Sequence, residues 1–250
     1  MNSILTVLIV DDDKRMTRTL ADILNLSGFK AVEAASAQDA LKLLDTHTID
    51  CVLTDVRMPD MTGVEFHRRL RSSYPGLPVL LMTAFASDEV IQQGLDDGVV
   101  GVLDKPLDIS YLLGFFGSLA KQRFVAIVDD DPIFCKTLSD ILTQRGFSVM
   151  SITDPHSPIG TMASGAQVVL LDMRLNSISG LDVLRELRAT YPSLPVMMIT
   201  GYGQEMTEAL QAAMDINAFA CLYKPLEIPR LLESLANIQL QQLRSALKMQ

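Results

Sequence analysis

Apolar residues in this chain fall into two rhythms. Short runs are apolar throughout, and the longer stretches between them carry apolar residues every three or four positions. Thr6–Val10 is such a run and predicts a buried strand. Asp11-Asp12-Asp13 follows it, then a helix with Met16, Leu20, Ile23 and Leu24 on one face and Gly28 at its end. Lys30–Ala34 predicts a weak strand and Ala37–Leu44 a helix. The run before Asp55 reads as a third strand, and Pro59 and Gly63 beyond it mark a loop. Residues 63–71 predict a third helix, closed by Tyr74-Pro75. Val79–Thr83, residues 87–95, residues 99–103 and residues 109–121 continue as strand, helix, strand and helix.

The pattern then starts again. Phe124–Val128 is apolar and Asp129-Asp130-Asp131 follows. The next helix shows Phe134, Leu138, Ile141 and Leu142, each 118 residues after its counterpart. The Tyr-Pro pairs Tyr74-Pro75 and Tyr191-Pro192 are 117 apart, and Lys105-Pro106 and Lys224-Pro225 are 119 apart. Asp172 ends an apolar run as Asp55 does, and each is followed eight residues on by glycine, Gly63 or Gly180. So steady an offset is a duplicated domain, far longer than a solenoid period. The boundaries expected are 1–121 and 122–250, joined only through Gln122-Arg123. Five strands alternating with five helices predict an α/β unit with a parallel sheet and helices on both faces. In the second copy Pro155, Pro158, Gly160 and Gly165 break up the second helix. The last helix, with Leu231, Leu235, Ile238, Leu243 and Leu247 as an imperfect stripe, extends past the end of the repeat.

Composition narrows the function. With 250 residues, 48% of them hydrophobic and 20% charged, both copies can bury a core. A net charge of −9 and a pI of about 4.8 argue against nucleic acid or an anionic membrane as partner. No run reaches the about eighteen apolar residues of a membrane span, and the N-terminus does not read as a signal peptide. Cys51, Cys135 and Cys221 lack metal-ligand spacing and read as reduced core thiols, hence a cytoplasmic protein.

In a parallel sheet the strand ends share one edge, which gathers Asp11, Asp12, Asp55, Thr83 and Lys105 in copy one and Asp129, Asp130, Asp172, Thr200 and Lys224 in copy two. Three carboxylates together repel unless a cation joins them. Hard oxygen ligands in small number suit Mg²⁺. A carboxylate beside such an ion is a nucleophile toward a phosphoryl group, and a lysine ammonium balances the transferring oxygens.

This pattern resembles the receiver domain of bacterial two-component response regulators, twice over nearly the whole chain. The resemblance implies the flavodoxin-like, doubly wound five-stranded sheet of order 2-1-3-4-5 in each copy. It makes Asp55 and Asp172 the phosphorylation sites. Asp12 and Asp130 become direct Mg²⁺ ligands, Asp11 and Asp129 ligands mainly through water, and the carbonyls of Arg57 and Arg174 further ligands. Thr83 and Thr200 become switch hydroxyls, and Lys105 and Lys224 phosphoryl-binding residues with cis Lys–Pro bonds. A histidine kinase or histidine phosphotransfer protein is the implied partner, and the chain is then a phosphoacceptor rather than an enzyme.

Two departures stand out. The family's switch aromatic lies three residues before the lysine, where this chain has Val102 and Cys221. Arg57 with Phe85, and Arg174 with Tyr202, flank the approach of hydrolytic water and suggest slow loss of phosphate. Asp13 and Asp131 read as helix N-caps, the latter before Pro132. His67, aligned with Leu184, reads as packing. Tyr111 and Phe115 make the fifth helix of copy one apolar on its outer face, to be covered by copy two or by a homodimer partner. No output module is legible, so output runs through protein contacts or a phosphorelay. Two other classes stay open: a scaffold with silent sites, and a haloacid-dehalogenase-like phosphohydrolase built on Asp11-x-Asp13.

Overall fold

Strand after strand, the apolar runs stack as parallel neighbours. The computed structural model describes residues 4–84, 89–120, 124–154, 163–176, 178–201 and 206–248. Its residues group into two units, 1–120 with 239–250, and 121–238.

Unit one contains β1 (Thr6–Val10), α1 (Lys14–Leu26), β2 (Lys30–Ala34), α2 (Ala37–Leu44), β3 (Cys51–Asp55), α3 (Gly63–Ser73), β4 (Val79–Thr83), α4 (Glu89–Asp97), β5 (Gly101–Asp104) and α5 (Ile109–Leu119). The sheet order is β2-β1-β3-β4-β5, every pair parallel. Side chains alternate across a strand. Val7 and Ile9 of β1 therefore join α1 and α5 through Leu20, Leu24, Leu112 and Phe116. Leu8 and Val10 join α2 and α3 through Ala40, Leu44, Phe66 and Leu70. Helices on both faces are the reason the strands read as unbroken apolar runs.

Unit two repeats the plan with β6 (Phe124–Val128), α6 (Pro132–Gln144), β7 (Val149–Ile152), β8 (Ala166–Asp172), α7 (Gly180–Thr190), β9 (Val196–Thr200), α8 (Met206–Asp215), β10 (Ala220–Tyr223) and the start of α9 (Ile228–Lys248). Its order is β10-β9-β8-β6-β7, again all parallel. The expected doubly wound order thus holds in both copies.

The caps read from sequence are in place. Asp13 accepts from the amides of Arg15 and Met16, and Asp131 from those of Ile133 and Phe134, with Pro132 in the first turn. Elsewhere the elements shift slightly. Helix α4 runs to Asp97 rather than Leu95, because the Asp97 carbonyl pairs with His67 Nε2 at 3.2 Å and with the Arg71 guanidinium. Cys51 and Cys135 are buried thiols, but Cys221 on the edge strand β10 is half-buried rather than core. Pro155, Pro158, Gly160, the join Gln122-Arg123, Phe85 and Tyr202 lie outside the described residues. Among the described residues, no helix is long and apolar enough to cross a membrane.

One grouping goes beyond the repeat length. Residues 239–250 belong to unit one. Leu240, Leu243 and Leu247 pack into the core that Leu112, Phe115 and Phe116 of α5 share with Val7 and Ile9 of β1.

Candidate functional site

The site of unit one sits where β1, β3, β4 and β5 end. Strand β3 stops at Asp55, whose register partner on β4 is Met82; Thr83 comes one residue later. Thr83 in turn pairs with Asp104, the residue before Lys105. Asp11 directly follows β1 and is held there by its own amide, which donates to the Ala34 carbonyl. Register alone therefore brings Asp11, Asp55, Thr83 and Lys105 to one edge.

Lys105 joins the two buried carboxylates. Its Nζ lies 2.7 Å from Asp11 Oδ2 and hydrogen-bonds Asp55 Oδ1. The second oxygen of Asp55 accepts from the Arg57 amide at 2.8 Å, and that of Asp11 from the Asp13 amide at 2.9 Å. Unit two repeats each bond. Lys224 Nζ is 2.7 Å from Asp129 Oδ2 and 2.5 Å from Asp172 Oδ2. The Arg174 amide donates to Asp172 at 2.9 Å, and the Asp131 amide to Asp129 at 2.9 Å. Thr200 is fully buried, one residue past the β9 partner of Asp172. Both Lys–Pro bonds are cis.

Two features of the site escape sequence reading. The first is the reason for the glycine eight residues beyond each acidic strand end. A Cβ on Gly63 would meet the Asp55 carbonyl oxygen at 2.3 Å, and one on Gly180 the Asp172 carbonyl oxygen at 2.2 Å. The loop folds back onto the strand end, with the Gly63 amide donating to Val56 and the Gly180 amide to Met173. The eight-residue spacing was visible; the close approach was not. The second is Phe134, whose ring lies 4.2 Å from Lys224 Nζ. Copy one has Met16 at that position, so the repeat itself marked the difference.

Charge decides the electrostatics. Burial alone lowers the pKa of the Lys105 ammonium, but its hydrogen bonds and ion pairs with Asp11 and Asp55 outweigh this and raise it. Lys224 is raised in the same way by Asp129 and Asp172. Asp129 moves up, chiefly by burial, with Lys224 opposing the shift and Asp172 adding to it. Each site still holds more carboxylates than ammonium groups. Asp12 is exposed and Asp130 half-buried, while Asp11 and Asp129 are the members joined to the lysine.

Among the described residues, no three Asp, Glu, His or Cys side chains form a closed metal cage. Magnesium needs none, since it keeps several waters and takes one or two carboxylates. Asp11 and Asp55 both turn an oxygen to the Lys105 ammonium, and the donor set at this edge is hard oxygen, the ligand type that Mg²⁺ takes. The residues fit such an ion.

Parallel α/β units with two buried carboxylates and a lysine at the strand ends define a class of domain with an acidic edge site. Comparison with known proteins makes the class specific. The model of the response regulator receiver domain matches residues 7–115 and again 125–236. A response regulator receiver protein of Anaeromyxobacter sp. (strain Fw109-5) is 33% identical over 199 residues, 78% of this chain and 82% of that protein. The response regulator protein FleR of Pseudomonas aeruginosa is 34% identical over 163 residues, 65% of this chain but only 34% of FleR. Among solved structures, the chemotaxis response regulator CheY4 of Vibrio cholerae is similar, with 32% identity, a TM-score of 0.43, and coverage of 47% of this chain and 99% of that one. The chain belongs to the response regulator receiver family, in two tandem copies, and so to two-component signalling.

Proposed function

We propose that both copies accept a phosphoryl group, on Asp55 and on Asp172, from a histidine kinase or histidine phosphotransfer protein in the cytoplasm. The observation that carries this is the doubled ion pair: each strand-end aspartate lies beside a lysine and a second buried carboxylate.

The chemistry follows from what those residues offer. A carboxylate oxygen of Asp55 attacks phosphorus, the P–N bond to the donor imidazole breaks, and its electron pair stays on the imidazole nitrogen. The Arg57 amide fixes the carboxylate's orientation, and the Lys105 ammonium faces the oxygens that gain charge. Asp11, Asp12, Asp55 and the Arg57 carbonyl would hold a Mg²⁺ ion, and Asp129, Asp130, Asp172 and the Arg174 carbonyl its counterpart, which would supply the remaining positive charge. Thr83 and Thr200, buried at the neighbouring strand ends, hydrogen-bond the bound phosphoryl group. Hydrolysis of the acyl phosphate restores the carboxylate, so the chain is a phosphoacceptor that assists its own phosphorylation and dephosphorylation.

Asp13 caps α1, its Oδ1 accepting from the amides of Arg15 and Met16, and no observation favours the phosphohydrolase reading. Intact-mass spectrometry after incubation with Mg²⁺ and acetyl phosphate tests the proposal. The parent chain gains two phosphoryl groups, and Asp55→Ala and Asp172→Ala each gain one. A parent chain that gains none contradicts it.

A further inference from the structure

The α4–β5–α5 face of unit one carries a helical segment that the repeat does not include. Leu243 is 1% exposed there, with Leu240 and Leu247 beside it. Arg244 donates from Nη2 to the carbonyls of Leu95 at 2.5 Å and Val99 at 2.8 Å, the residues flanking the end of α4. The Tyr111 hydroxyl of α5 donates to the Leu247 carbonyl at 2.7 Å. At the start of β5, a Cβ on Gly101 would lie 2.7 Å from Leu247 Cδ1. Copy two has Ala220 in place of Gly101 and Arg230 in place of Tyr111. The adaptation that admits the segment is therefore confined to copy one.

What Arg244 holds is also what borders the site. Leu95 and Val99 share one small core with Val56, Val64, Leu81 and Val102. Val56 is the residue after Asp55, and Leu81 lies two before Thr83. Val102 occupies the position where the family keeps its switch aromatic, so this copy lacks the usual messenger. A close-packed cluster transmits displacement because it cannot deform continuously. Leu247 packs closely over Gly101, so the segment has little room to follow a shift of the Leu95 and Val99 carbonyls that Arg244 holds.

We propose that residues 239–248 are the read-out of unit one, and that a phosphoryl group on Asp55 loosens their hold on the α4–β5–α5 face. This rests on the reading of Asp55 as phosphoacceptor. It makes the chain's own helical segment, rather than an aromatic side chain, the element that answers the site. A population shift of this kind requires only that the segment bind the two states of unit one unequally.

Hydrogen exchange on the full chain, followed by mass spectrometry of the peptide spanning 239–248, is the test. Occupancy of Asp55 is read from intact mass in the same samples. Exchange in this peptide rises about tenfold when Asp55 is phosphorylated by acetyl phosphate and Mg²⁺, and stays at the basal level in Asp55→Ala. Arg244→Ala gives the same rise of about tenfold without any phosphoryl donor, since it removes two charge-assisted hydrogen bonds. Phosphorylated Asp55 with unchanged exchange overturns the proposal and leaves the phosphoacceptor reading intact. Absence of phosphate on Asp55 overturns both. Unchanged exchange in Arg244→Ala overturns the role given to that residue and with it the proposal.

Discussion

Lys105 illustrates how one residue arbitrates a site. Alone, Asp11 and Asp55 would repel across a buried edge; the ammonium between them, paired with both, offsets that repulsion. Copy two solves the same problem with Lys224 and adds the face of Phe134 beneath it. His67 shows the opposite case, a titratable group with no place in the chemistry. It is buried in α3, and burial, followed by smaller effects of Arg71 and Arg68, holds its pKa below 6.5 despite the Asp97 carbonyl. In the unfolded chain it takes up a proton near that value, so as pH falls below 6.5 the unfolded state binds more protons and stability is lost. The copy-two counterpart is Leu184, which cannot titrate. In urea melts between pH 7 and pH 5, the parent chain's first unit loses stability more steeply than that of His67→Leu. Parallel slopes would contradict this.

At the scale of elements, the turn from β3 into α3 depends on backbone proximity. Gly63→Ala pushes a methyl into the Asp55 carbonyl and destabilises unit one by about 1–3 kcal/mol, read as a lower urea midpoint. Gly117 in α5 is the control: nothing lies within 4 Å of its would-be Cβ, so Gly117→Ala is neutral or stabilising by about 0.5–1 kcal/mol. Equal losses in the two variants would refute the argument. These elements also show what sequence can reveal. The central strands Val7 to Val10, Val52 to Thr54 and Leu80 to Met82 were legible because burial on both faces leaves a continuous apolar run. The caps were legible because Asp before a helix has one favoured use. The glycine contact was not, since spacing shows that a loop turns but not how closely it returns.

For the molecule as a whole, duplication was the strongest signal. Offsets of 117 to 119 aligned the carboxylates, threonines and lysines of the two copies before any geometry was known. The structure then brought Asp11, Asp55 and Lys105 together by register, and Asp129, Asp172 and Lys224 likewise. What the repeat could not show was the destination of residues 239–248. Their leucine stripe announces one apolar face, but amphipathicity does not name its partner. Tyr111 and Phe115, where the copies differ, marked only that the fifth helix of copy one has an apolar face to be covered.

The central claim is that the two strand-end aspartates, and no others, carry the phosphoryl group. Trapping with borohydride after exposure to acetyl phosphate and Mg²⁺, followed by peptide sequencing, tests it directly, because reduction of an aspartyl phosphate leaves homoserine at the modified position. Homoserine at positions 55 and 172, with Asp11, Asp12, Asp129 and Asp130 intact, is the result expected. Homoserine at position 11 or 129 would move the nucleophile to the other strand end and contradict the account.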